Sequence, residues 1–259
     1  MRVIKNDIIC EKKFKEFDWQ GQSKTIYIFN DKILIKKTDK KEINNIILIY
    51  NKLKKKKINI LLALNYKIYK CNDYYLLFMK RYKSNIEYID YKDNEINNIN
   101  EFKNVVLQVL LLSLYLNFKL KIFHNDLHSR NILYKLNDNK ESIIINFEDI
   151  NLKLGKFIIK VIDWEHMEKH LIIKNMHSIV NKYIKPKLRN SEFFYNLIFI
   201  HKKIRIINNK ITKIPKVDRI KNISKIIKLQ DLMNNENNLE AYIKIYKYID
   251  ENFIEIFSD

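Results

Sequence analysis

Two rhythms of apolar and polar residues divide the chain. Thr25-Ile26-Tyr27-Ile28-Phe29 is β-branched and aromatic, Asn30-Asp31 marks a turn, and Lys32-Ile33-Leu34-Ile35-Lys36-Lys37 resumes the strand pattern. Ile43, Ile46, Ile47, Ile49, Tyr50 and Leu53 then recur at the helical period, which predicts a helix over 42–53. Two more strands are predicted at 65–69 and 74–79, on either side of the turn Cys71-Asn72-Asp73. The first third of the chain thus reads as a small strand-rich unit with one helix.

Beyond Met79-Lys80-Arg81-Tyr82 the pattern changes. Residues 84–100 are polar and predict a short helix and loop, and 101–120 predict a long helix. Its most apolar part, 105–118, is interrupted by Gln108, Ser113 and Asn117. That stretch is too short and too broken to span a bilayer, so it reads as a buried helix. Strands follow at 132–134, 143–147 and 157–162, around Gly155, and helices at 165–176, 191–203, 220–233 and 239–257. No internal repeat and no Pro-, Gly- or Ser-rich linker is present, so 1–80 and 81–259 read as two directly joined lobes of one α+β domain.

With 259 residues the chain can bury a sizeable core. Its net charge of +19 points first to nucleic acid or another anionic surface. Two facts discount that. Ile, Lys and Asn dominate while Gly and Pro number two each, the balance an AT-rich coding sequence produces. The lysines are also dispersed, apart from Lys54-Lys55-Lys56-Lys57, which reads as a solvated helix end. Nucleic acid is therefore the lesser partner class, and basic charge can serve ATP phosphates or acidic protein substrates. The first residues lack the apolar run of a signal peptide. Cys10 and Cys71 are too few for a disulfide framework and lack metal-ligand spacing, so free thiols in a reducing compartment are expected.

The chemistry concentrates in His124-Asn125-Asp126-Leu127-His128-Ser129-Arg130-Asn131, followed by Ile132-Leu133-Tyr134, and in Lys160-Val161-Ile162-Asp163-Trp164-Glu165 downstream. Taken singly, Asp126 is a turn residue, His124 a structural histidine and Asp163 a strand-end acid. Their conjunction carries more. Phosphoryl transfer needs a carboxylate to orient the acceptor hydroxyl, and an amide and a second carboxylate to hold metal ions on the phosphates. D-x-x-x-x-N followed by an Asp at a strand end supplies those groups in order.

This order of parts resembles the protein kinase superfamily, most closely the atypical serine/threonine kinases of large DNA viruses. There, H-N-D-L-H-x-x-N-I-L is followed by an insert and G-K-x-x-K-I-I-D. The corresponding residues are His124 to His128 with Asn131-Ile132-Leu133, then Gly155-Lys156-Phe157-Ile158-Ile159-Lys160-Val161-Ile162-Asp163. The resemblance implies a bilobal fold that binds ATP and Mg²⁺. It implies Asp126 as catalytic base, and Asn131 and Asp163 as metal ligands. Lys36 corresponds to the lysine that holds the α- and β-phosphates. Strand alternation puts Leu34 and Lys36 on one face and Ile33 and Ile35 on the other. Lys37 is the competitor, and either lysine could simply snorkel. Glu42 would pair with the lysine, or serve only as a helix N-terminal dipole partner. Adenine would meet the backbone at Met79, Lys80 and Arg81.

Departures from the pattern shape the functional expectation. Trp19-Gln20-Gly21-Gln22-Ser23-Lys24-Thr25-Ile26-Tyr27 keeps one glycine, Gly21, of the phosphate-covering loop. Asn125 stands where an arginine commonly receives a phosphorylated activation loop, which argues against control by that route. His128 occupies the place of a γ-phosphate-contacting lysine. His128 and Asp163-Trp164-Glu165 are also similar to small-molecule kinases of the aminoglycoside and choline type, and no Ala-Pro-Glu follows. The expected activity is phosphoryl transfer from ATP to a protein serine or threonine, in the host cytoplasm or the virion. A small-molecule kinase and an inactive kinase-like scaffold are the alternatives. Acceptor, regulation and oligomeric state are not legible.

Overall fold

In the computed structural model, the residues described are 2–17, 26–63, 66–82, 84–85, 99–127, 131–138, 142–169, 225, 228–229, 231–232 and 238–253. The architecture is α+β, with a sheet in the N-terminal region and helices later. Six strands order as β1-β5-β6-β4-β3-β2. They are β1 (Val3–Lys5), β2 (Lys15–Phe17), β3 (Ile26–Asn30), β4 (Ile33–Thr38), β5 (Tyr66–Lys70) and β6 (Tyr75–Lys80). Neighbours are antiparallel except β1, which runs parallel to β5.

Helix α2 (Lys40–Leu53) buries Ile43, Ile46, Ile49 and Leu53, the stripe that the helical period predicts. It follows β4 through Asp39, whose Oδ1 accepts from the Glu42 amide at 2.9 Å and caps the helix. A 3₁₀ turn, Lys57–Leu61, leads into β5.

Before Phe14, where a strand-like pattern begins that runs to Lys37, the chain had no predicted structure. Here β1, the short helix α1 (Asp7–Glu11) and β2 run from one edge of the sheet to the other. Ile9, Cys10 and Phe14 pack against Ile35, Cys71, Leu76 and Phe78 on the outer face. Cys10 and Cys71 form a disulfide with Cα atoms 5.6 Å apart, which overturns the expectation of free thiols. Sequence spacing could not show it, because 61 residues separate the two cysteines.

Past the sheet, α3 (Ile99–Leu114) ends in a π-helical turn, Tyr115–Lys119, within the predicted helix. Gln108, one of the residues that interrupt its apolar run, is fully buried because it bonds across to a strand. Its Nε2 donates to the Phe157 carbonyl at 2.7 Å and its Oε1 accepts from the Ile159 amide at 3.0 Å. That strand, β11 (Phe157–Val161), pairs with β8 (Ile132–Leu136), which pairs with β7 (Ser84–Asn85). The insert forms its own hairpin, β9 (Ile144–Phe147) with β10 (Ile150–Lys153). Gly155 is closely approached by Asn104, whose Oδ1 accepts its amide at 2.8 Å, and an added Cβ would lie 3.1 Å from that oxygen.

Residues 165–169 depart from the helix predicted over 165–176, and 170–176 lie outside the described residues. Residues 165–169 form a turn and an isolated antiparallel bridge, Phe123 with Glu168. Helix α4 (Leu239–Glu251) lies within the predicted 239–257 and is capped by Asn238. Residues 225, 228–229 and 231–232, inside the predicted 220–233, are helical. The helix predicted at 191–203 lies outside the described residues. Among the described residues no helix is long and apolar enough to cross a membrane.

Candidate active site

The first half of the site lies where β4 meets α2. Alternation along β4 turns Leu34 and Lys36 toward the main core and Ile35 toward the outer face. The Lys36 ammonium donates to Glu42 Oε1 and to Asp163 Oδ1, each at 2.8 Å. It is almost fully buried, as is Glu42 at 1% exposure. Burial alone pulls the Lys36 pKa down, but Glu42 and then Asp163 outweigh it and hold the pKa above the usual lysine value. Thr38 Oγ1 donates to Glu42 Oε2. Glu42 is therefore both in the first turn of α2 and bonded to Lys36. Lys37 points away, with its ammonium 4.2 Å from the centre of the Tyr74 ring.

Tyr66, at the start of β5, is buried beside this cluster. Burial first, then the charges of Glu42, Tyr82 and Asp163, raise its pKa well above the usual tyrosine value, so its hydroxyl stays neutral.

The second half is a pair of loops between β-structure. Asn131 Nδ2 donates to the Asp126 carbonyl at 2.9 Å and to Asp126 Oδ2 at 3.1 Å. The Ile162 amide donates to the Asn131 carbonyl at 3.0 Å, joining this loop to the end of β11. His124 is fully buried and its Nε2 lies 2.9 Å from the Ile162 carbonyl, so that nitrogen carries the proton. Its ring centre is 4.6 Å from that of Trp164, which is also fully buried. Asn125 and Asp163 adopt left-handed backbone, with φ of 62° and 64°. Asparagine and aspartate tolerate that region better than other side chains. Asn125 Nδ2 donates to the His166 carbonyl at 3.2 Å.

The structure thus brings together Lys36, Glu42 and Asp163, and separately Asp126 and Asn131, with Ile162, the residue before Asp163, bonded to His124 and Asn131. Met79 is buried and registered opposite Leu34 and Tyr66. Lys80 closes β6, with its side chain exposed. The Arg81 amide donates to the Lys32 carbonyl at 2.8 Å, so one backbone donor expected to face adenine is already used in strand pairing. Gly21 and His128 lie outside the described residues. Sequence reasoning missed Thr38, Tyr66 and Asn45, the last on α2 with its Nδ2 donating to the Trp164 carbonyl. For Thr38 and Asn45 the available signal was their spacing of four and three residues from Glu42.

Among the described residues no group of three or more His, Cys, Asp and Glu side chains is placed to hold a metal. A site built on Asn131 and Asp163 has two protein oxygen donors, the sparse set that suits Mg²⁺ sharing its shell with phosphate and water.

No protein-family profile matches the chain. No curated protein matches it either. Among solved structures, it is similar to a Plasmodium kinase domain at 16% identity, with a TM-score of 0.42, over 91% of this chain and 84% of that one. A likeness that distant assigns no chemistry.

Proposed function

We propose that the chain is an ATP- and Mg²⁺-dependent phosphotransferase whose acceptor is a serine or threonine of a protein. The observation that carries this reading is Lys36 held between Glu42 and Asp163 at 2.8 Å each. A buried lysine kept charged by two carboxylates is suited to phosphate oxygens. Two of the groups that phosphoryl transfer asks of a protein, Lys36 and Asp163, are then in direct contact, and Asp126 and Asn131 form a second bonded pair.

Lys36 binds the α- and β-phosphates, and Glu42 fixes its side chain. Asp163 and the Oδ1 of Asn131 hold Mg²⁺, which when bound neutralises charge on the phosphate oxygens. Asp126 orients the acceptor hydroxyl and accepts its proton. Asn131 fixes Asp126, because its Nδ2 bonds both the backbone and the carboxylate of that residue. Adenine meets the hinge backbone at Lys80 and its neighbours rather than at the Arg81 amide, which Lys32 occupies. Gly21 covers the phosphates and His128 contacts the γ-phosphate.

Asp126→Asn tests the reading. Asparagine keeps an oxygen for Asn131 but cannot take a proton, so labelled-phosphate transfer should fall by about 10²–10⁴-fold. Mg·ATP affinity and melting temperature should change little. Transfer persisting near the wild-type rate removes Asp126 from the mechanism. Mg·ATP binding without transfer to any protein or small alcohol leaves a nucleotide-binding scaffold. Transfer to small alcohols alone makes the chain a small-molecule kinase.

A further inference from the structure

Glu42 and Asn45 lie three residues apart on α2, one turn along the same face. Glu42 reaches the Asp163 side chain through Lys36. Asn45 reaches the main chain that follows Asp163. Its Nδ2 donates to the Trp164 carbonyl at 2.7 Å and lies 3.4 Å from the Glu165 and Met167 carbonyls. Those oxygens belong to a turn closed by the Met167 amide on the Trp164 carbonyl at 3.3 Å.

The opposite side of the segment is also held. Phe123 and Glu168 exchange backbone bonds of 2.8 and 3.0 Å, and Asn125 Nδ2 reaches the His166 carbonyl. Asp163 sits between these contacts with left-handed backbone, a conformation that persists in a non-glycine residue when its surroundings enforce it. The other link from α2, Lys41 to Glu168 at 3.4 Å, is largely exposed on both sides and is screened by solvent.

We propose that Asn45 is a positioning residue, whose carboxamide transmits the placement of α2 to the backbone after Asp163 and keeps that carboxylate aimed at its metal. The proposal rests on the phosphotransferase reading. It requires a donor at this point, because three carbonyl oxygens converge on it. Alanine removes the donor, and aspartate replaces it with oxygens that face oxygens.

Asn45→Ala and Asn45→Asp test this by melting curves with ATP across a Mg²⁺ titration, together with amide hydrogen exchange. Alanine raises helix propensity at this half-buried site, so the fold is retained. Both variants should need about 10- to 100-fold more Mg²⁺ for half-maximal stabilisation, the loss typical of removing a group that orients a metal ligand. Exchange should quicken over 162–169 and stay unchanged over 26–38, and ATP binding without Mg²⁺ should keep its wild-type affinity. A wild-type Mg²⁺ requirement in both variants overturns the proposal. So does an equal loss of ATP binding with and without Mg²⁺, which marks a merely structural residue. A wild-type chain that shows no Mg²⁺-dependent stabilisation, like an Asp163→Ala control, removes the phosphotransferase reading and the proposal with it.

Discussion

The two faces of the six-stranded sheet solve opposite problems with the same strands. On the inner face, β4 and its neighbours present Leu34, Lys36, Tyr66, Leu77 and Met79, and a buried charge is balanced by two acids. On the outer face, Ile35, Leu76 and Phe78 meet a strap of residues 3–17. There Phe78 stacks edge-on to Phe29 and Tyr69 at 5.2 and 5.0 Å, and a disulfide pins the strap. Removing one member of the inner set leaves an uncompensated buried ion, whereas removing one member of the outer set leaves a smaller apolar contact. The inner face is therefore brittle by design of its charges and the outer face tolerant.

The largest expected effect comes from comparing adjacent lysines that face opposite ways. Lys36→Met should abolish Mg·ATP-dependent transfer and cost about 3–5 kcal/mol of stability, because it strands Glu42. Lys37→Met should cost less than about 1 kcal/mol, the scale of an exposed cation–π contact. Chemical denaturation and labelled-phosphate transfer on both variants check this, and equal losses would erase the distinction between the faces.

Reduction of Cys10–Cys71 should have an intermediate effect that is confined to the outer face. Closing a loop of this length contributes about 2–4 kcal/mol. Melting temperature should fall by several degrees under reducing agent while the Mg·ATP-induced shift survives. Loss of that shift would show that the strap supports the inner face as well.

A further contrast is read by pH at Lys160 on β11. Lys160 donates to the Ile60 and Leu62 carbonyls, and its pKa is lowered to about 8 by burial, with Lys135 and Lys80 adding repulsion. The unfolded chain therefore binds more protons than the folded one between about pH 8 and the ordinary lysine value. Stability should rise across that window in the wild type relative to Lys160→Met. A stability difference that stays flat between about pH 8 and 10 refutes the assignment.

The inner face was legible because its signals are local and periodic. Alternation fixes which way Lys36 points, and the apolar stripe of α2 fixes which face carries Glu42. The loop motif gave Asp126, Asn131 and Asp163 by order alone. What escaped were contacts between distant segments. Val3–Lys5 is too short to announce itself and gains its structure from pairing with β5. The segment after Asp163 carries a helix-like pattern, yet Asn45 and Phe123 capture its backbone groups and hold it as a turn and bridge. The disulfide runs against the reducing compartment that cysteine count alone suggested, since such bonds persist in oxidising surroundings.

Asn45, Asn125 and Asn131 each aim an amide nitrogen at a backbone oxygen. A side-chain amide is also the group by which a protein ages, since slow hydrolysis turns it into a carboxylate that repels the oxygen it once bonded. That reaction runs fastest where glycine follows asparagine. Here Gln20 precedes Gly21 and Leu154 precedes Gly155, so no such step exists in the chain. The scarcity of glycine, two residues in the whole chain, also gives these amide braces a long chemical lifetime.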